Sequence, residues 1–143
     1  MNKPSKMKIK LNGIVYLLNC RVETNRDNKT EVVINRVEAA KMIRQFIKTR
    51  YGKSIKSWVK SASFSGGSSV DVTICKPNGE PVSSTIETAI NTFANSLRAG
   101  RFNGMTDSYD YNSRNLVSDL GTQLVMYTSY ISVYNRAPYD YKP

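Results

Sequence analysis

The stretch EVVINRVEAAKMIRQFIKTR, residues 31–50, changes periodicity in its middle, and that change decides the fold class. Val32, Val33 and Ile34 are β-branched, and Glu31 to Ile34 reads as a strand. Asn35 has the short polar side chain of a helix N-cap, and Glu38, three residues on, completes a capping box. Beyond it Ala39, Met42, Ile43, Phe46 and Ile47 recur at i, i+3, i+4, i+7 and i+8, the apolar face of a helix running to about Arg50. Lys41, Arg44 and Lys48 fall on the opposite face. Gly52 stands where such a helix stops.

Upstream, Met7, Ile9 and Leu11 alternate with Lys6, Lys8 and Lys10, the period of a half-buried strand. Asn12-Gly13 follows, a hairpin signal because both residue types tolerate positive φ. Ile14 to Glu23 is the return strand, which makes 6–24 a basic hairpin, and 25–28 a turn. Downstream, Ile55 to Phe64 reads as a strand with Trp58, Ala62 and Phe64 on one side and Ile55 and Val59 on the other. Its hairpin partner carries Val70, Val72 and Ile74 in alternation with Asp71 and Thr73. Ser84 and Glu87 suggest a second capping box. Ile86, Ala89, Ile90, Phe93, Ala94 and Leu97 make a second amphipathic helix, closed by Gly100. These elements form a helix–hairpin–helix core over 35–100.

After Gly100 the patterns weaken. Residues 101–115 look like a structured loop rich in glycine and tyrosine. Leu124 to Tyr134, within 122–134, reads as a last strand, with a helix left open. The tail from Ala137 should be extended. No repeat and no linker divides the chain, so 1–143 is expected to be one α+β domain: a mainly antiparallel sheet of about five strands with two helices packed on it.

Charge is partitioned along this chain. Residues 1–60 hold fifteen of the 21 Lys and Arg against four acids, a net +11. Residues 61–143 hold six bases and seven acids, a net −1. A chain basic in one half offers a patch to polyanions. The longest apolar run, Ile14 to Leu18, is far short of the ~20 residues of a membrane span. No hydrophobic stretch of signal-peptide length follows the first lysines, so a cytoplasmic location is expected. Cys20 and Cys75 then read as reduced core thiols.

Histidine is absent. That removes Ser-His-Asp triads, Cys-His pairs and His-based metal motifs, and with them most catalysis. No metal or cofactor is expected. The cations most available to phosphate are Lys41, Arg44 and Lys48 on the first helix and Arg50, Lys53, Lys56 and Lys60 after it. Tyr51 and Trp58 sit among them, and rings among cations suit unpaired bases. Trp58, sharing a strand face with Ala62 and Phe64, reads as core. Lys3, Lys6, Lys8 and Lys10 serve either binding or protection of an edge strand. The Gly-rich segment 64–71 lacks the Lys-Ser/Thr of a phosphate loop and reads as a turn. Asp107 and Asp110 lie beside Tyr109 and Tyr111 in the loop, where Asx hydrogen bonds are the ordinary use of such acids.

Two segments carry a family resemblance. Phe64-Ser-Gly-Gly-Ser-Ser-Val-Asp-Val72 and, after the second helix, Arg101-Phe-Asn-Gly-Met-Thr-Asp107 resemble one of the large polyvalent protein-associated domains, small modules of bacteriophages and mobile elements. The family's loop usually shows Phe-Asp-Gly-Met; Asn103 stands here in place of that Asp. The likeness covers about half the chain and carries no settled activity. It implies a phage or plasmid product acting in the cytoplasm of a bacterial host.

The expectation is a non-enzymatic accessory protein that binds nucleic acid, or a nucleoprotein complex, through its basic half. The alternative is a protein-directed inhibitor of a host defence system, of the anti-CRISPR kind. Tyr127, Tyr130, Tyr134, Tyr139 and Tyr141 near the C-terminus, with Tyr109 and Tyr111 of the loop, would suit the interface with its partner. A metal-dependent nuclease using Asp71, Asp107 or Asp110 has the least support, since nothing spaces these acids for two metals.

Overall fold

Ten strands and two helices carry the fold of a computed structural model that describes residues 3–24, 27–99, 101–103, 108–110 and 115–143. In chain order they are β1 (Ser5–Leu11), β2 (Ile14–Thr24), β3 (Thr30–Ile34), α1 (Arg36–Tyr51), β4 (Lys56–Phe64), β5 (Gly67–Cys75), α2 (Ser84–Ser96), β6 (Arg101–Asn103), β7 (Ser108–Asp110), β8 (Asn115–Val117), β9 (Gln123–Met126) and β10 (Tyr130–Asn135). The class is α+β, as the periodicities require. A five-stranded sheet, ordered β1-β2-β3-β9-β8, is antiparallel except where β3 meets β9. A second sheet, ordered β10-β5-β4, was not foreseen; in it β10 runs parallel to β5. β6 and β7 form a short ribbon within the segment expected to be a loop.

The first hairpin turns as its sequence demands. Asn12 and Gly13 have φ of 52° and 85°, the left-handed pair of a two-residue hairpin loop. Their two N–H groups donate to Asp119, to Oδ1 at 2.8 Å and Oδ2 at 2.9 Å. These bonds, from Gly13 first and then Asn12, lower the Asp119 pKa, and Lys10 adds to the effect. A depressed carboxylate stabilises the fold above the ordinary value and loses that contribution as pH falls through the lowered one. Asp119→Asn is therefore expected to lower the melting temperature above about pH 4, the two proteins converging in stronger acid. Parallel melting-temperature profiles down to pH 2 would remove Asp119 from this role.

Helix α1 lies along the open edges of both sheets. β2 pairs with β3 only from Arg21 onward, which leaves the backbone of Leu17 and Asn19 facing the helix. Gln45 accepts the Leu17 N–H at 2.9 Å and donates to the Leu17 carbonyl at 3.3 Å, in the manner of a missing strand. Glu38, 3 % exposed, accepts the Asn19 N–H at 2.9 Å and pairs with Lys41 at 3.1 Å. Across the helix, Arg44 donates to the Val59 carbonyl of β4 at 2.6 Å. The Asn35 cap forms as expected, accepting the Glu38 N–H. The reciprocal half of the capping box does not, because the Asn19 N–H on the open edge of β2 takes the Glu38 carboxylate instead.

Under the helices Ile34, Met42, Ile43, Ile47, Val70, Val72, Ile74, Ile90 and Leu124 are fully or almost fully buried in one core. Cys20 and Cys75 are free and buried within the fold, in line with the expectation of reduced thiols. Burial pushes the Cys20 thiol up to about 12, aided by the Glu38 charge, and raises Cys75 as well. Neither is a ready nucleophile.

Three sequence expectations are corrected. The N-cap of α2 is Ser83, not Ser84, and Glu87 accepts from Asn135 rather than closing a box. The helix ends at Ser96 with Leu97 as its cap; Gly100 lies outside the described residues. The final strand is two, β9 and β10, one in each sheet, joined through the buried Thr128.

Candidate nucleic-acid interface

Strand β5 settles which way β4 faces. Val70, Val72 and Ile74 are buried, so Asp71 and Thr73 point out. The register pairs Val59 with Val72, Lys60 with Asp71 and Trp58 with Thr73. Val59 therefore enters the core. Trp58 belongs to the outer face with Lys56, Lys60, Ala62 and Phe64, and its expected core role does not hold. β10 adds to the same face, because Tyr130 lies opposite Ser69, Ser132 opposite Asp71 and Tyr134 opposite Thr73.

The outer face of the second sheet thus carries a row of rings. Phe64 and Tyr130 stack across the sheet, centroids 6.1 Å apart. They do so over Gly67, where an added Cβ would come 2.8 Å from Ser129 Oγ and 3.3 Å from the Phe64 ring. Trp58 meets Tyr141 edge-on at 5.4 Å. Arg136 lies 5.5 Å from the centre of the Tyr134 ring. Phe64, Tyr130 and Tyr134 remain 49 %, 43 % and 41 % exposed, and Tyr139 is fully exposed. Six positions separate Trp58 from Phe64, about 20 Å of strand.

The tail is not the extended segment expected. Tyr141 donates its N–H to the Pro138 carbonyl and its hydroxyl, at 2.7 Å, to the Pro77 carbonyl, which folds the chain back over Trp58. Tyr139, Arg136, Tyr134 and Asp71 line a hollow of about 520 Å³ beside it.

The seven cations singled out in the sequence separate. Lys56 and Lys60 flank Trp58 on the outer face. Arg44 is held at the β4 edge, bonded to the residue between Trp58 and Lys60, and Lys48 is exposed one helical turn further on. Lys41 is drawn into its pair with Glu38 and shares a groove of about 420 Å³ with Lys6 and Lys8 of β1. Arg50 lies over the Phe46 ring at 5.5 Å, and Lys53 is exposed in the one-turn 3₁₀ helix after α1. Among the described residues Lys48, Lys53, Lys56 and Lys60 carry no ion pair. Of the candidate tyrosines, Tyr139 and Tyr141 border the outer face. The side chain of Tyr109 and all of Tyr111 lie outside the described residues, as does Asp107.

Sequence reasoning missed Phe64 and Arg136, and it named Tyr130 and Tyr134 only as interface tyrosines, apart from the cations. A signal existed, since Trp58 shares its parity with Lys56 and Lys60, which do not belong in a core. No three His, Cys, Asp or Glu side chains come together as metal ligands among the described residues. None of the helices among them is long and apolar enough to cross a membrane. No protein-family model matches the chain, and neither the curated proteins nor the solved structures searched hold a match.

Proposed function

We propose that the protein binds single-stranded nucleic acid on the outer face of the β10-β5-β4 sheet, as a binding rather than a catalytic protein. The observation that carries this is the row formed by Trp58, Phe64, Tyr130 and Tyr134 on one face with Lys56, Lys60 and Arg136. Unpaired bases stack on such rings whatever their sequence, and the cations neutralise the phosphates between them. The chain's net charge of +10 adds a long-range pull of the same sign. Arg44 and Lys48, carried round the β4 edge, extend the basic border. The family resemblance of the β4–β5 hairpin adds a phage or plasmid origin to this reading.

The test is fluorescence anisotropy with a labelled single-stranded oligonucleotide and the matching duplex across a salt series. The single strand is expected to bind more tightly. Its affinity should fall with salt by a log–log slope of about 0.7 per phosphate neutralised. Lys56→Glu with Lys60→Glu should make that slope shallower by roughly 1.4. No binding at low salt, or an unchanged slope in the double variant, would reject the assignment. A protein-directed inhibitor is the second reading, favoured by the full exposure of Tyr139 beside other tyrosines. Retention of a host protein after nuclease treatment would favour it over the first.

A further inference from the structure

A cleft of about 360 Å³ opens between the β1–β2 turn and the two helices, formed by elements other than the outer face just described. Leu11 and Ile14 line it from the hairpin, Phe46 from α1 and Phe93 from α2. The rings of Phe46 and Phe93 lie parallel, 4.2 Å between centroids and 4° between planes. Tyr16 continues the stack at 5.9 Å from Phe93. The cleft is therefore walled by flat apolar surface that accepts another ring in offset or edge contact.

Polar residues interrupt this wall: Asn12, Thr92 and Ser96 at its margin, and Tyr16 and Arg50 beside the rings. Tyr16 is fully buried, and its hydroxyl has no hydrogen-bond partner among the described residues. Arg50 also lines the cleft, its guanidinium 5.5 Å from the Phe46 centroid. Burial pushes the Tyr16 phenol up to about 12 against the opposing charge of Arg50, so it stays protonated and able to donate. An unpaired buried hydroxyl costs stability, and a cation beside apolar walls favours an anion.

We propose that this cleft binds a small aromatic anion, its ring against Phe46 and Phe93 and its acidic oxygens meeting the Arg50 guanidinium. A neutral apolar ligand would leave the Arg50 charge unanswered. An aliphatic anion would forgo the rings. Pockets of this make-up, mostly apolar with a few convergent polar groups, are the usual form of small-ligand sites.

The test is an ¹⁵N-edited NMR titration of the full chain with benzoate, benzamide and cyclohexanecarboxylate. Benzoate is expected to shift the amides around Leu11, Ile14, Arg50 and Phe93, with Kd below roughly 1 mM, and to bind at least about tenfold more tightly than either analogue. Tyr16→Phe should raise the melting temperature of the free protein, because it deletes an unpaired buried hydroxyl. Arg50→Gln should abolish the preference for benzoate over benzamide. The proposal fails if benzoate perturbs nothing at saturating concentration, if benzamide binds as well, or if Arg50→Gln binds benzoate like the parent.

Discussion

Replacing Trp58, Phe64 and Tyr130 together with alanine is expected to weaken binding of a single-stranded oligonucleotide by about a hundredfold or more. Base–aromatic stacking is worth about 1–3 kcal/mol per base, so three contacts at the low end give roughly 3 kcal/mol. All three rings belong to the outer face, and Phe64 and Tyr130 are largely exposed, so truncation removes little core packing. The folded signal in circular dichroism should persist. Unlike charge reversal, this change should leave the salt slope almost intact, because the phosphates keep their cations. Leu120→Ala is the control. Leu120 is 89 % exposed in the Ser118–Thr122 turn, outside that face, and its loss should change nothing. An alanine triple that binds as tightly as the parent would remove stacking from the mechanism.

The second large effect concerns stability. Glu38→Ala is expected to cost about 2–3 kcal/mol, lowering the melting temperature by roughly 10 °C. The carboxylate is 3 % exposed and answers the Asn19 N–H at 2.9 Å on a strand edge that no other strand covers among the described residues. Removing it orphans that N–H, and the loss of a buried acceptor costs the full desolvation of its donor. The pair with Lys41 contributes less, because Lys41 is 39 % exposed. Glu38→Gln keeps an acceptor and should cost under about 1 kcal/mol. Equal melting temperatures for the two variants would show that the edge does not depend on this contact.

Most of the local structure was legible. The alternation in β1 and β5, the Asn12-Gly13 turn and the 3.6 periodicity of both helices are rules that act within a few residues. Failures arose where distant segments decide. Glu38 obeyed the local pattern of a capping box, yet an unpaired strand edge had a stronger claim on its carboxylate. Trp58 looked like core because it is the largest apolar residue of its strand; the parity of β5, imposed across the hairpin, turned it outward. Leu124 to Tyr134 looked continuous because both halves are β-prone. Their separation rests on partners far away, β3 for one and β5 for the other, and no local residue announces that. The outer-face site was half-visible for the same reason: its cations and Trp58 are close in sequence, whereas Tyr130, Tyr134 and Arg136 arrive from β10.

The two parallel pairings have a consequence for how the molecule comes to be folded. Val33 meets Val125, and Val72 meets Val133, partners separated by large parts of the chain. Closing such loops costs entropy before any contact repays it, which slows folding more than it weakens the product. While the polypeptide is being synthesised, β3 and β5 must wait, each with one flank bare, until residues 123–135 have left the ribosome. During that interval the nascent chain is at its most vulnerable to pairing with a stranger.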